Sequence, residues 1–169
     1  MEILFKNSYT RNRELAKEIY RFYYFQRKLL VFTYFLLAFS FLANIVCVAV
    51  GISYNIGILI FVPLFVAIQF YCYFHQVNIM VKRDNEVHGK EINVETTVTD
   101  SYIQNVASTG SVYQIGYDDI KNAVQTKNLI LLRSKSNLIY IFDKNTFDIG
   151  TKEEFLLFLT SKGIKVRGK

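Results

Sequence analysis

The sequence predicts an α+β membrane protein in which a two-helix transmembrane hairpin is joined to a small antiparallel β domain closed by a C-terminal helix. Three observations predict it. Residues 29–81 contain no Lys, Arg, Asp or Glu. From residue 91 onward, apolar and polar residues alternate as in half-buried strands. Thr151 precedes Glu154 by three positions, just ahead of "FLLFL", which is the signature of a capped amphipathic helix. With 169 residues and 51% hydrophobic content, the chain has room for one modest domain beside the apolar segment.

Residues 1–28 form the first part. "MEILFK" reads as a short strand able to join the later ones. "TRNRELAKEIYRFYYFQRK" reads as a helix with Leu15, Ile19 and Phe22 on one stripe and basic residues between, running into the apolar segment. Tyr20, Tyr23 and Tyr24 stand where an aromatic belt meets lipid headgroups, and Arg21, Arg27 and Lys28 are placed to reach anionic lipid. The same mixture suits nucleic acid elsewhere. Next to an apolar run the lipid reading prevails, and no nucleic-acid partner is expected.

The apolar segment is too long for one buried helix and suits two spans, 29–50 and 54–74, each about the 20 residues that cross a bilayer core. A secretory signal has an apolar run of only about 7–15 residues, so an uncleaved anchor is expected. "GISYN" at 51–55 is short and uncharged and contains Gly51 and Asn55, which suit a tight turn. Lys17, Arg21, Arg27 and Lys28 precede the first span, and Lys82, Arg83 and Lys90 follow the second. The turn has no basic residue, so the positive-inside rule puts both termini in the cytoplasm.

Folding the hairpin about residues 52–53 sets Asn44 level with Phe61 and Gln69 level with Leu36, so the two amides cannot meet. Cys47 and Cys72 are separated in depth by roughly 21 Å at 1.5 Å per residue, which rules out a bridge between them. Ala43, Cys47 and Gly51 give span one a face of small side chains, and Pro63 is expected to bend span two. Neither span holds the acidic or basic groups that a proton or ion path needs.

Residues 75–90 read as a linker, and 91–169 as the β domain. The expected strands are 91–98, 102–107, 111–117, 122–126, 129–134 and 138–143, separated by "TDS", "STG", "DDIK", "KN" and "KSN", whose residues carry turn chemistry. A helix follows at "TKEEFLLFL", and Gly163 ends it. Lys162, Lys165, Arg167 and Lys169 close the chain as a basic cluster, expected to be a solvated tail.

The adjacent carboxylates of Asp118 and Asp119 in "GYDDI" are the most conspicuous chemistry in a chain of formal net charge +6. Placed between strands, they are expected to cap a turn by accepting backbone N–H bonds. His75 and His88 are isolated, and no Cys-x-x-Cys, His-x-x-x-His or Glu-x-x-His spacing is present. The sequence also lacks a Gly-rich phosphate loop and a Gly-x-Ser-x-Gly elbow. No catalytic, cofactor-binding or metal residues are therefore assigned, no cofactor is expected, and the chain is expected not to be an enzyme.

The order basic helix, apolar hairpin, strand meander and final helix resembles the YcxB-like family of bacterial membrane proteins, whose C-terminal part resembles a pleckstrin-homology-like barrel. "TDSYI" (99–103), "YQIGYDDI" (113–120), "LILLRSKSNLIYIFDKNTF" (129–147) and "TKEEFLLFL" (151–159) carry the resemblance. Gly116 departs from it, standing where such proteins often have a bulky aromatic such as Trp. The resemblance implies a small antiparallel PH-like β-barrel at 91–169 and no assigned reaction. Phosphoinositide sites on such barrels grip phosphate with Lys and Arg of the first hairpin, whereas "TTVTDSYIQNV" has Asp100 and no basic residue. The expectation is a membrane-tethered interaction module at the inner face of a bacterial cell membrane, binding a protein, a lipid or a second copy. The alternative is an immunity or stress-type effector that acts on another integral membrane protein through its hairpin. The richness in Lys, Asn, Ile, Tyr and Phe fits an AT-rich bacterial genome.

Overall fold

The computed structural model describes residues 2–25, 28–52, 55–88 and 91–168. The expectations for Arg27, Lys90 and Lys169, and for the side chains of Tyr23, Tyr24, Lys28 and His88, lie outside what is described. Residues 13–83 form one unit, and residues 1–12 with 84–169 form the other.

The first unit begins with α1 (Arg13–Phe25), followed by α2 (Lys28–Val50) and most of α3 (Ile56–His88). Leu15, Ala16 and Ile19 of α1 are buried, as the 3.6-residue period of the stripe requires. Hydrogen bonds tie α1 to α3: the Tyr73 hydroxyl donates to the Lys17 carbonyl at 3.3 Å, and the Arg13 guanidinium donates to Asn78 Oδ1 at 3.3 Å. In Val31–Val50 and Ile56–Asp84 the chain has two stretches of helix long and apolar enough to cross a membrane.

The hairpin turn is fastened by side chains whose role the sequence reading missed. Asn44 Oδ1 accepts the Asn55 backbone N–H at 2.8 Å, and its Nδ2 donates to the Ser40 carbonyl at 2.9 Å. Asn55 Oδ1 in turn accepts the Gly57 N–H at 2.9 Å. Donors at the start of a helix lack intrahelical partners, and side-chain oxygens satisfy them here. The Asn44 amide therefore serves the turn. Cys47 and Cys72 are both free thiols. Residues 75–88, read from sequence as a linker, continue α3, because no Gly or Pro between 64 and 88 interrupts it.

The second unit contains nine strands: β1 (Phe5–Arg11), β2 (Ile92–Val98), β3 (Tyr102–Ala107), β4 (Val112–Gly116), β5 (Ile120–Gln125), β6 (Leu129–Ser134), β7 (Ile139–Asp143), β8 (Phe147–Ile149) and β9 (Val166–Arg167). Helix α4 (Lys152–Ser161) lies between the last two. All six expected strands are present. They do not close a barrel. One sheet has the order β4-β3-β2-β1-β8 and the other β7-β6-β5-β9. The break falls at Tyr117–Asp119, where a single 3-10 turn redirects the chain so that β5 begins a new sheet without pairing to β4. A strand at the N-terminus joins the sheet, but it lies later than the expected 1–6 and takes in Thr10 and Arg11, expected in the helix: β1 pairs with β2 over seven residues from Phe5↔Val98 to Arg11↔Ile92.

Between the sheets lies a core of Phe5, Val98, Ile103 and Ile115 from one and Ile120, Ala123, Ile130, Leu132, Tyr140 and Phe142 from the other. Helix α4 adds Phe155 and Leu159. The Phe155 ring lies 4.4 Å from that of Phe142 and 5.4 Å from that of Phe5. Truncating such a side chain to Ala costs about 3–5 kcal/mol. The predicted capping box is complete: Thr151 Oγ1 accepts the Glu154 N–H at 3.2 Å, and Glu154 Oε2 accepts the Thr151 N–H at 2.9 Å. Just before it, Gly150 has φ +76°, and a Cβ there would come within 2.8 Å of Phe5 Cε1, so glycine is required. At Gly116 an added Cβ meets nothing within 4 Å, which leaves room for a larger residue.

Candidate functional site

Sequence reasoning put its candidate chemistry at "GYDDI". In the structure Asp118 and Asp119 are exposed, and neither carboxylate has a hydrogen-bond or ion-pair partner among the described residues. The expected side-chain cap is therefore corrected: the turn is held through the backbone, with the Lys135 N–H donating to the Asp119 carbonyl at 2.8 Å. A 3-10 turn provides this acceptor with any side chain. His75 stacks on Tyr71 with ring centroids 5.5 Å apart. Among the described residues, no group of three or more His, Cys, Asp or Glu side chains comes together to hold a metal ion.

The most organised cluster of polar and aromatic groups lies at the end of the β domain beside the turn between β2 and β3. Thr99 closes that turn, its Oγ1 accepting the Tyr102 N–H at 3.2 Å and donating to the Tyr102 carbonyl at 3.1 Å. The Tyr117 hydroxyl donates to the Thr99 carbonyl. From the end of α4, Lys162 Nζ reaches Asp100 Oδ1 at 2.7 Å and lies 5.2 Å from the centre of the Tyr117 ring and 5.3 Å from that of Phe158. Burial, helped by the Asp100 charge, pushes the Tyr117 phenol above its ordinary value, so it stays a neutral donor at physiological pH. The cluster thus joins the quoted motifs "TDSYI", "YQIGYDDI" and "TKEEFLLFL" at one point. Its charges satisfy each other: Asp100 and Lys162 form a pair, just as Lys6 pairs with Glu95 at 3.1 Å farther along β2.

The rest of the basic end is not a solvated tail. Residues 166–167 form β9, parallel to β5 with Ala123↔Val166 and Val124↔Arg167, and the Ala123 N–H donates to the Lys165 carbonyl at 3.1 Å. This leaves the side chains of Lys165 and Arg167 exposed along one sheet edge. Only two residues pair, too few for alternation to register in sequence.

A second organised feature, also missed in sequence, centres on Asn7. Its side chain is fully buried on the inner face of β1. Nδ2 donates to the carbonyls of Asp143 at 2.7 Å and Thr146 at 3.1 Å, while Oδ1 accepts the Asp143 N–H at 3.0 Å. The Thr146 hydroxyl donates to the Ser8 carbonyl. One amide thus stitches the first strand to the corner between β7 and β8 in "DKNTF". A polar residue inside the apolar alternation of β1 was the available signal.

The architecture defines an α+β domain of two packed sheets, interrupted between its first and second strands by a pair of long apolar helices. Residues 98–159, from the last residue of β2 through most of α4, match the model of the YcxB-like protein family. Strand β1, the apolar helices and β9 lie outside the matched segment. No curated protein and no solved structure matches the chain.

Proposed function

We propose that the chain is a non-enzymatic interaction module tethered to a bacterial cell membrane, with α2 and α3 crossing the bilayer as a hairpin and the β domain held at the inner face, where it binds a protein or lipid. One observation carries the reading. Strands β1 and β2 stand on either side of the two apolar helices in sequence, yet they pair along seven residues. Both strands must occupy one compartment, so any crossing between them occurs an even number of times. The apolar windows supply two, and the Val31–Val50 window is wholly unburied. Exposed Arg21, Lys82 and Arg83 flank the helices, whereas Gly51, Ile52 and Asn55 of the turn carry no charge, which favours the cytoplasmic side for both termini. The two-sheet core packed on one C-terminal helix supports the likeness to a pleckstrin-homology-like domain, which alone names no ligand.

Fractionation and labelling test this. Alkaline carbonate should leave the chain in the membrane pellet. In a variant with Cys47 and Cys72 replaced by Ala, a reporter cysteine at Lys169 should resist an impermeant maleimide in intact cells and react after lysis. Recovery in the soluble fraction overturns the tether, and labelling in intact cells overturns the orientation.

A further inference from the structure

Edge strands carry unpaired backbone donors and acceptors, and proteins blunt them with charge, proline, bulges or very short length. Three of the four edges in the β domain follow this rule. Strand β8 has three residues and pairs with β1 through a register shift. Strand β9 has two residues, one of them Arg167. In β7 the side chains of Tyr140, Ile141 and Phe142 are buried, so the strand is covered on both faces.

Strand β4 differs from β8 and β9 in length and from the equally long β7 in exposure. It has five residues and an unbroken register with β3, from Val106↔Val112 to Tyr102↔Gly116. Val112 is 53% exposed and Tyr113 59% exposed, and these neighbours point to opposite faces, so the outer half of the strand is open on both sides as well as along its edge. Val106, opposite Val112, extends the apolar patch onto β3. No charged residue and no proline occurs from 101 to 117, although a fifth of the chain is charged.

We infer that β4 is a self-association edge on which the β4 of a second copy pairs antiparallel about a two-fold axis, joining two five-stranded sheets into one. The inference names the partner of the interaction module proposed above and rests on that reading. Charge selects the second copy. A partner surface that brings charge against this edge loses solvation without gaining an opposite charge, whereas a second β4 brings an equally uncharged strand. Two copies of a chain with net charge +6 repel over most of their surface, and a stretch of seventeen uncharged residues lets them meet without like charges facing each other. A two-fold axis normal to the sheet keeps each side chain on its own face, so Tyr113 meets Tyr113 or Ile115 of the other copy and Val112 meets residues of its own parity. Confinement to one membrane raises the effective concentration, which suits an interface as small as one added strand.

The test uses the full chain in mild detergent and in its native membranes. Light scattering after size exclusion should give a dimer. Val112→Lys sets two like charges near one dyad and should weaken association by about a hundredfold or more. Gln114→Pro removes an edge donor and should act similarly, with the far-UV spectrum confirming that each variant is folded. With Cys47 and Cys72 replaced by Ala, Tyr113→Cys should form a covalent dimer on mild oxidation in membranes, whereas Leu157→Cys on exposed α4 should not. A monomeric wild-type chain overturns the inference. So does a dimer that persists in both folded edge variants, or cross-linking that is equal at 113 and 157. A chain found soluble refutes the tether alone, since the column still reads the dimer.

Discussion

Replacing Asn7 with Ala tests whether the fold depends on one buried amide. The substitution removes donors to the carbonyls of Asp143 and Thr146 and the acceptor for the Asp143 N–H, at 2.7, 3.1 and 3.0 Å. Each such bond contributes about 0.5–1.5 kcal/mol, and a buried group left without a partner costs about 1–3 kcal/mol. Partial access of water to the 143–146 corner moderates the sum, and the expected loss is about 2–4 kcal/mol. For a domain of roughly a hundred residues this lowers Tm by about 10–20 °C. The twelve tyrosines, with no tryptophan present, provide a near-UV circular dichroism signal for following unfolding in detergent. Asn7→Asp separates hydrogen bonding from shape. It keeps the volume but at neutral pH turns the donor into an anion facing two carbonyls, so it should be at least as destabilised as Asn7→Ala. A loss below about 0.5 kcal/mol in Asn7→Ala, or an Asn7→Asp variant as stable as wild type, refutes the reasoning.

Three further outcomes are expected. Burial pushes the Tyr9 phenol up to about 12 despite the opposing Arg11 charge, so above pH 10 the unfolded chain loses this proton before the folded one, and stability should fall by about 2 kcal/mol as pH rises from 10 to 12. Urea midpoints across that window should show the decline, with Tyr9→Phe flattening it; the raised Tyr117 keeps it from vanishing. Arg11 Nε lies 3.2 Å from Oδ2 of buried Asp84, so Arg11→Met should cost about 3 kcal/mol by stranding a carboxylate, and adding Asp84→Leu should restore most of it, as a double-mutant cycle would read. The double variant Asp118→Asn, Asp119→Asn should unfold within about 0.5 kcal/mol of wild type, because both side chains are exposed and unpaired; a larger loss returns a structural role to the carboxylates.

These predictions draw mostly on features that local patterning does not encode. Strands β2 to β5 were legible because their alternation matches a sheet with one buried face, β6 and β7 because short apolar runs buried on both faces lie between turn residues, and α4 because Thr151 and Glu154 lie within one turn of each other. The apolar windows follow from length and hydropathy. By contrast, the Asn7 contact with Asp143 spans 136 positions and that of Lys162 with Asp100 spans 62, distances over which no periodicity reports. Strands β8 and β9 are too short to show a period. The candidate site was half legible. "TDSYI", "GYDDI" and the final helix were singled out, but the carboxylates drew notice for their charge, whereas Tyr117 beside them makes the contact. Strand β4 was read correctly as a strand, yet its place at an edge depends on which strands pair, which one sequence does not state.

The position of β1 inside its sheet, between β2 and β8, has a consequence for biosynthesis. The strand leaves the ribosome first, but its last neighbour follows about 140 residues later, which at 5–20 residues per second is a delay of roughly 7–30 s. Until β2 emerges "FKNSYTR" has no strand to pair with, while both apolar helices are made and must be accommodated; β2 then covers one edge of it, and the other stays open until β8 arrives. Its alternate polar residues keep the waiting strand soluble, and buried Asn7 lowers its tendency to pair with the wrong apolar edge before Asp143 and Thr146 arrive. Quality control can therefore read the nascent chain at a single point: until residues 143–149 are made, one edge of the first strand and its Asn7 amide stay unpaired and open to proteases and chaperones, and their closure marks a completed sheet.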